Sequence, residues 1–285
     1  MMLDAHMPTP NRLQRQVDFS FLLAVYNEER QLVESVSTLH RFLVANAHYS
    51  FEIFLCDDGS TDGTAQIAAT VSAQHPEVVR LVSYQRNRGR GHALKYAERY
   101  LRGRYVVYLD LDMCKDARLG KVVAPIVEGL HTHDIVIASR FMKASHSTRK
   151  PVRRAVSAIY RSIVHVVFPG LAVTDTDVGC KGIRRDVFSR LNNLATLDRW
   201  SYDLQMLVHA REQGCRILEF PQHWNERLDP YSTVRIVKDS LEQLHGIVHV
   251  KLGEIRRKIQ HGHRASAKAN ATGTATSRSN GMTNR

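Results

Sequence analysis

Several absences narrow the field. No stretch offers the roughly 20 uninterrupted apolar residues of a membrane-spanning helix, and the N-terminal MMLDAHMPTPNRLQRQVD lacks the apolar segment of a signal peptide. The expectation is a soluble or peripheral chain in the cytoplasm. Only four cysteines occur, Cys56, Cys114, Cys180 and Cys215, with no C-x-x-C spacing. That excludes a zinc ribbon and suits reduced thiols. Acidic residues are the minority, 28 against 40 lysines and arginines, leaving a formal charge of +12. An anionic partner is expected, and nucleic acid, an acidic membrane surface and phosphorylated substrates all qualify. Aromatics are missing where they would help with nucleic acid: none follows Tyr231 in the basic C-terminal segment. Without base-stacking rings interleaved among the cations, nucleic acid is the weakest of the three. Internal repeats are absent as well.

What the chain does have is a set of short apolar runs, each ending in polar or acidic residues. With 285 residues and 43% hydrophobic content it can bury a large core. Phe19 to Val25, Phe51 to Cys56, Val78 to Tyr84 and Tyr105 to Leu109 read as buried strands. Between them lie helix-period segments, such as Leu32, Val36, Leu39, Phe42 and Leu43. Strands alternating with helices over short connections predict an α/β fold, a mostly parallel sheet covered on both faces. The pair Gly89-x-Gly91 is not a dinucleotide fingerprint, because the third glycine is missing and the loop follows the third strand. It reads instead as a tight turn presenting Arg86, Arg88 and Arg90 to anions, or as a solvated basic loop.

The candidate centre is RYVVYLDLDMCKD, residues 104–116, in which Asp110 and Asp112 close an apolar strand. In an open α/β sheet ligands bind at that strand edge, and two carboxylates one residue apart can share a hard divalent cation bridging a diphosphate. An acidic turn after a surface strand fits the triplet alone equally well.

Four motifs in order, LLAVYNEE, FEIFLCDDGSTDGT, NRGRGHAL and VVYLDLD, together resemble the nucleotide-sugar-binding half of an inverting family-2 glycosyltransferase of GT-A fold. DIVIASRF, DTDVGCKGIRR and the segment from Arg199 to Glu226 are similar to the polyprenyl-phosphate branch, the dolichyl-phosphate mannosyl- and glucosyltransferases. The resemblance implies a nucleoside pocket lined by Tyr26, Glu28, Asp57 and Asp58, and Mg²⁺ or Mn²⁺ held by Asp110 and Asp112. It implies an acceptor phosphate held by Arg140, Arg153 and Ser157, the latter two sharing a helix face. Asp175 and Asp177 would flank the sugar, and Asp203 would contact substrate or, with a hydroxyl acceptor, serve as base. Without the resemblance, Asp175 and Asp177 organise a turn and Asp203 is an acid in a helix's first turn. Arg227 would close over the diphosphate, although the Gly-Ser-Lys usual after it reads Tyr231, Ser232 and Thr233 here, with Arg235 or Lys238 as substitutes. Cys114 stands where a polar residue often completes the motif.

The implied partners are a UDP- or GDP-sugar, a polyprenyl phosphate and the cytoplasmic face of a membrane, with a membrane protein or a second copy as further partners. Val156, Ile159, Tyr160, Ile163, Val164, Val167 and Phe168 follow one helix face, suited to the membrane interface or to the sheet. From Val234 onward Val237, Leu241, Leu244, Val248 and Ile255 mark an apolar stripe with Lys238, Lys251, Arg256, Arg257 and Lys258 around it. That pattern suits an anionic membrane surface and dimer packing nearly equally. His245 and His249, four apart, lack an acidic third ligand at helical spacing, so a metal site there is not expected. The expected organisation is a flexible tail over 1–17, a GT-A domain over 18–232, a basic amphipathic helix over 233–261 and a disordered tail over 262–285.

Overall fold

The computed structural model describes the backbone over residues 16–115, 119–148, 151–225 and 236–279. The expected strands and helices appear in order: β1 (Val17–Val25), α1 (Leu32–Asn46), β2 (Phe51–Asp57), α2 (Thr64–Gln74), β3 (Val79–Ser83), α3 (Arg90–Glu98) and β4 (Gly103–Leu109). A 3₁₀ turn, Leu111–Lys115, follows β4. Then come α4 (Gly120–Gly129), β5 (Ile135–Ser139), β6 (His146–Thr148), α5 (Pro151–Val167), β7 (Cys180–Arg184) and α6 (Arg185–Leu194). The chain closes with α7 (Ser201–Glu212), β8 (Ile217–Pro221), β9 (His223–Asn225) and α8 (Ile236–Ser279).

Phe19, Phe21, Leu22, Leu23 and Val25 of β1 are all buried, as a strand covered on both faces requires. It lies between β2 and β4 in a seven-stranded sheet ordered β3-β2-β1-β4-β7-β5-β8. The parallel register pairs Val25 with Asp57 and Leu22 with Tyr108, so the ends of β1, β2 and β4 come level. Strand order reverses around β1, and that reversal opens a crevice at the carboxyl edge. One feature departs from the parallel expectation. β7 inserts antiparallel between β4 and β5. Helices α1 and α2 share contacts on the sheet, as do α3, α6 and α7.

Helix α5 buries Tyr160 and Val164, with Phe168 buried just past its end, but Ile159 is exposed, so the expected face is shifted by part of a turn. Helix α8 docks on α7 and α5. Its backbone runs on to Ser279, past residue 261 where the polar composition predicts no regular structure; alanines at 265, 267, 269 and 271 supply helix propensity. The tail before residue 16 lies outside the described residues.

Candidate functional site at the carboxyl edge of the sheet

Strand β1 ends in a turn built to grip its neighbour. Asn27 takes φ 56°, a left-handed conformation that asparagine tolerates. Its backbone N–H donates to Ser60 Oγ at 3.0 Å, and its side-chain oxygen accepts from the Thr61 N–H at 2.8 Å. The Glu28 N–H donates to Thr64 Oγ1 at 2.7 Å, and the Gln31 amide donates to the Glu28 carboxylate. Asp62 serves both sides, its Oδ1 accepting from the Thr64 N–H at the start of α2 at 3.0 Å and its Oδ2 from the Glu29 N–H at 3.4 Å, while the side chains of Ser60 and Thr61 bond to Asn27. They fasten the β1 turn to the β2 turn.

The two acids at the end of β2, Asp57 and Asp58, take different roles. Asp57 is buried and accepts from Ser83 Oγ at 2.7 Å and the Ser60 N–H at 3.2 Å. Asp58 accepts from Tyr84 Oη, Asn87 Nδ2 and the backbone N–H groups of Arg88 and Gly89, all within 3.0 Å. It thereby shapes the 84–89 loop and has little surface left for a nucleoside. Gly59, at φ 66°, has no room for a Cβ because the backbone of Arg86 lies 2.6 Å away. Tyr26 is half-buried beside them.

The Asp110 N–H donates to Gly179 O at 2.7 Å, which ties the end of β4 to the segment before β7. Its carboxylate is part-exposed and accepts from Arg90 Nη1 at 3.1 Å. Asp112, in the 3₁₀ turn, is open to solvent by area, yet protein atoms crowd its surroundings. That desolvation, reinforced by the charges of Asp110 and Glu28, pushes its carboxyl up to about 7, with Arg140 acting in the opposite sense. Asp112 thus lies within electrostatic reach of Asp110, Glu28 and Arg140. Two hard carboxylates are a fitting donor pair for Mg²⁺ or Mn²⁺. No cluster of three metal-ligating side chains occurs among the described residues. Cys114 is fully buried, its thiol pushed up by burial and by both aspartates, and faces the core.

A model of the Glycosyl transferase family 2 domain matches residues 20–191, which run from within β1 past β7 and include both aspartates. The chain belongs to glycosyl transferase family 2. Among its relatives, glycosyltransferase AglD of Haloferax volcanii is 33% identical over 79% of this chain and 35% of its own length. Dolichyl-phosphate beta-glucosyltransferase ALG5C of Trichomonas vaginalis is 27% identical over 74% of this chain and 65% of its own. That of Dictyostelium discoideum is 28% identical over 77% and 72%. The chain therefore spans about a third of AglD and just under two thirds of ALG5C. Two solved structures share the fold. Mannosyl-3-phosphoglycerate synthase from Rubrobacter xylanophilus superposes with a TM-score of 0.61 at 18% identity, covering 85% of this chain and 75% of that one. Glucosyl-3-phosphoglycerate synthase from Mycobacterium tuberculosis, in complex with Mn²⁺, UDP and phosphoglyceric acid, gives 0.58 at 20% identity, covering 82% and 78%.

Elsewhere in this family-2 chain, Arg140 follows β5. Its Nε and Nη2 form a bidentate pair with Asp175 at 2.8 Å each, and its backbone N–H donates to the same carboxylate at 2.9 Å. Burial alone would raise the Asp175 carboxyl, but Arg140 holds it below the ordinary carboxylate range. Asp175 is thus the anchor of Arg140 rather than a free sugar contact. The Arg140 guanidinium lies 5.4 Å from the Phe141 ring centroid, and Arg161 of α5 lies 4.2 Å from the same ring. Ser157 and Arg153 lie one and two turns earlier on the α5 stripe that holds Arg161, both half-buried. Asp177 accepts from Tyr160 Oη at 3.2 Å and from Gln243 Nε2 at 2.9 Å, tying α5 to α8.

Asp203 also differs from expectation. It has no exposed surface and accepts from Lys181 Nζ at 2.7 Å, Tyr108 Oη at 2.5 Å and Arg90 Nη2 at 2.5 Å. Burial pushes its carboxyl up, yet Arg90 and Lys181 outweigh that and hold it low. A carboxylate so enclosed has no path to a substrate proton. Nor does Arg90 project toward solvent: it bridges Asp203 and Asp110. Arg88 pairs with Asp198 at 3.5 Å, and Gly91 is required because Tyr202 Cβ would lie 2.3 Å from a Cβ there. Sequence reasoning missed Arg90, Tyr108 and Lys181 as one group, since the three are distant in the chain. The only local hint was a lysine inside the buried-strand pattern CKGIR. Arg227 lies outside the described residues, as do Ser232, Thr233 and Arg235.

Proposed function

We propose that this chain transfers a hexose, glucose or mannose, from a UDP- or GDP-sugar to a polyprenyl phosphate at the cytoplasmic face of a membrane, inverting the anomeric centre. The observation that carries the reading is Arg140, clamped bidentately by Asp175 and acting electrostatically on Asp112. An anchored cation beside a metal-type aspartate pair suits an anionic acceptor placed next to a sugar diphosphate. The names of the dolichyl-phosphate beta-glucosyltransferase relatives support the same acceptor.

In this reading an oxygen of the acceptor phosphate attacks the anomeric carbon, the bond from that carbon to the β-phosphate oxygen breaks, and its electron pair leaves with the nucleoside diphosphate. Arg140, with Arg153 and Ser157, positions the nucleophile. Glu28 and Tyr26 border the nucleoside pocket, and Asp57 and Asp58 hold its loops in place. Asp110 and Asp112 would hold Mg²⁺ or Mn²⁺, which neutralises the departing diphosphate; the Mn²⁺ complex of the glucosyl-3-phosphoglycerate synthase is in keeping with this choice. A phosphate is ionised at neutral pH, so no general base is needed. That agrees with the enclosure of Asp203, which disfavours the alternative of a hydroxyl acceptor with Asp203 as base.

The test is transfer of radiolabel from a panel of UDP- and GDP-sugars into organic-extractable lipid, with polyprenyl phosphate and Mg²⁺ or Mn²⁺. Label that vanishes with Asp112→Ala is the expected result. Nucleotide-sugar binding without any lipid label would overturn the lipid acceptor and favour a hydroxyl acceptor.

A further inference from the structure

Helix α8 shows two apolar faces, and only one is used. Gly246, Ile247, Val250 and Glu254 are buried toward the body of the protein. Gly246 has no room for a side chain, because Ser201 Oγ would lie 1.8 Å from its Cβ. Glu254 accepts from Arg211 of α7 at 2.8 Å, and Arg257 pairs with Glu212 at 3.0 Å, so the helix cannot rotate without breaking both ties. The rotation of α8 is therefore set, and with it the face that points outward.

That outward face carries Leu241, Leu244, Val248, Leu252, Ile255 and Ile259, all exposed, from 41% at Leu244 to 63% at Leu241. The intervals are three and four residues throughout, which at about 100° per residue keeps all six on one narrow line. Surfaces of this kind are covered by something.

The charges beside the line decide what. His245, His249 and Arg256 follow one edge and Lys251 and Lys258 the other. Of the acids between residues 239 and 260, Asp239 and Glu254 point well away from the line, and Glu242 falls just outside the edge that carries His249. Lys251 and Lys258 both reach Glu254, but Arg211 shares that carboxylate, so the cluster keeps excess positive charge. Two copies joined along this line would bring Arg256, Lys251 and Lys258 of one against the same cations of the other, with only Glu242 on the flanks to offset them, where a paired helix needs acid against base. An anionic lipid surface accepts both parts of the pattern, the apolar line entering the acyl boundary and the flanking cations meeting headgroup phosphates.

We infer that the outer face of α8 is a docking surface for an anionic bilayer. This deepens the lipid-acceptor reading and rests on it for its purpose, but the test needs neither acceptor nor donor. The full chain is sedimented with vesicles of phosphatidylglycerol and phosphatidylcholine, and with phosphatidylcholine alone. The expected result is binding to the anionic vesicles that weakens as salt rises, and at least tenfold weaker binding for Val248→Asp combined with Leu252→Asp. Arg256→Glu, a change at an exposed position, should weaken binding several-fold and keeps the test sharp if the double variant unfolds. Equal binding by wild type and variants, or none by the wild type, would overturn the inference. So would a wild-type dimer in lipid-free solution that the double variant converts to monomer, since a second copy would then hold the line. Failure of sugar transfer with vesicle binding intact would count against the acceptor alone.

Discussion

The ammonium of Lys181 lies 2.7 Å from the carboxylate of Asp203, and neither side chain has any exposure to solvent. Strand β7 supplies one and helix α7 the other, so the antiparallel insertion of β7 beside β4 is what makes the pair. The same carboxylate holds Arg90, which reaches Asp110 at the sheet edge. A buried charge cluster thus backs one of the two candidate metal ligands.

Breaking that pair should be costly. Lys181→Met leaves Asp203 with less compensation in a dry site, and removal of one partner of a buried ion pair typically costs about 3–5 kcal/mol. Urea unfolding of the variant should show a free energy of unfolding lower by that amount. A loss below about 1 kcal/mol would mean that Arg90 and Tyr108 suffice for Asp203.

Gly179 has no space for even one methyl group: a Cβ there would lie 1.8 Å from Asp110 Oδ2. Gly179→Ala should displace the Asp110 carboxylate and weaken Mn²⁺-dependent nucleotide-sugar binding at least tenfold, at an overpacking cost of about 1–3 kcal/mol. Calorimetric titration, alongside thermal unfolding, separates the two effects. Unchanged binding would place Asp110 outside the metal site.

Burial, together with the charges of Asp203 and Asp175, raises the Asp177 carboxyl to about 6. A folded-state pKa above the unfolded one means that the native state binds the proton more tightly. Stability should therefore decline as pH rises from about 4 to about 6 and level off above that. The span is worth up to about 3 kcal/mol. Asp177→Asn should flatten the profile of unfolding free energy against pH through this window; an identical slope would reassign the effect.

Glu254 shows the opposite sign. Burial would raise its carboxyl, but bonds from Lys258 and Lys251 and the charge of Arg211 hold it at about 2. Its contribution is fully present above the unfolded value of 4.5 and is lost as pH falls toward 2. Lys258 is well exposed, so screening limits the contribution to about 1–2 kcal/mol. Glu254→Gln should loosen α8 by that amount, seen as faster amide exchange over residues 246–254, and acid should produce the same loosening in the wild type.

The order of strands and helices, the acidic strand ends and the place of Asp110 and Asp112 just after β4 were legible in the chain. Each depends on local pattern: a buried strand needs a continuous apolar run, and ligands meet such strands at their carboxyl ends. The stripe on α8 was legible for the same reason, as periodicity along a single helix. Which partner each charged side chain takes was not legible, because such pairs join residues scores of positions apart. Asp175 became the clamp of Arg140, Asp58 the organiser of a loop, and Asp203 a buried anchor enclosed by Arg90, Tyr108 and Lys181. The sequence by itself determined the family and the sheet edge at which its chemistry belongs. Tertiary structure alone decided which acids remain open there, because only packing brings the arginines and lysines that occupy the others, and only packing fixes which apolar face of α8 is left uncovered.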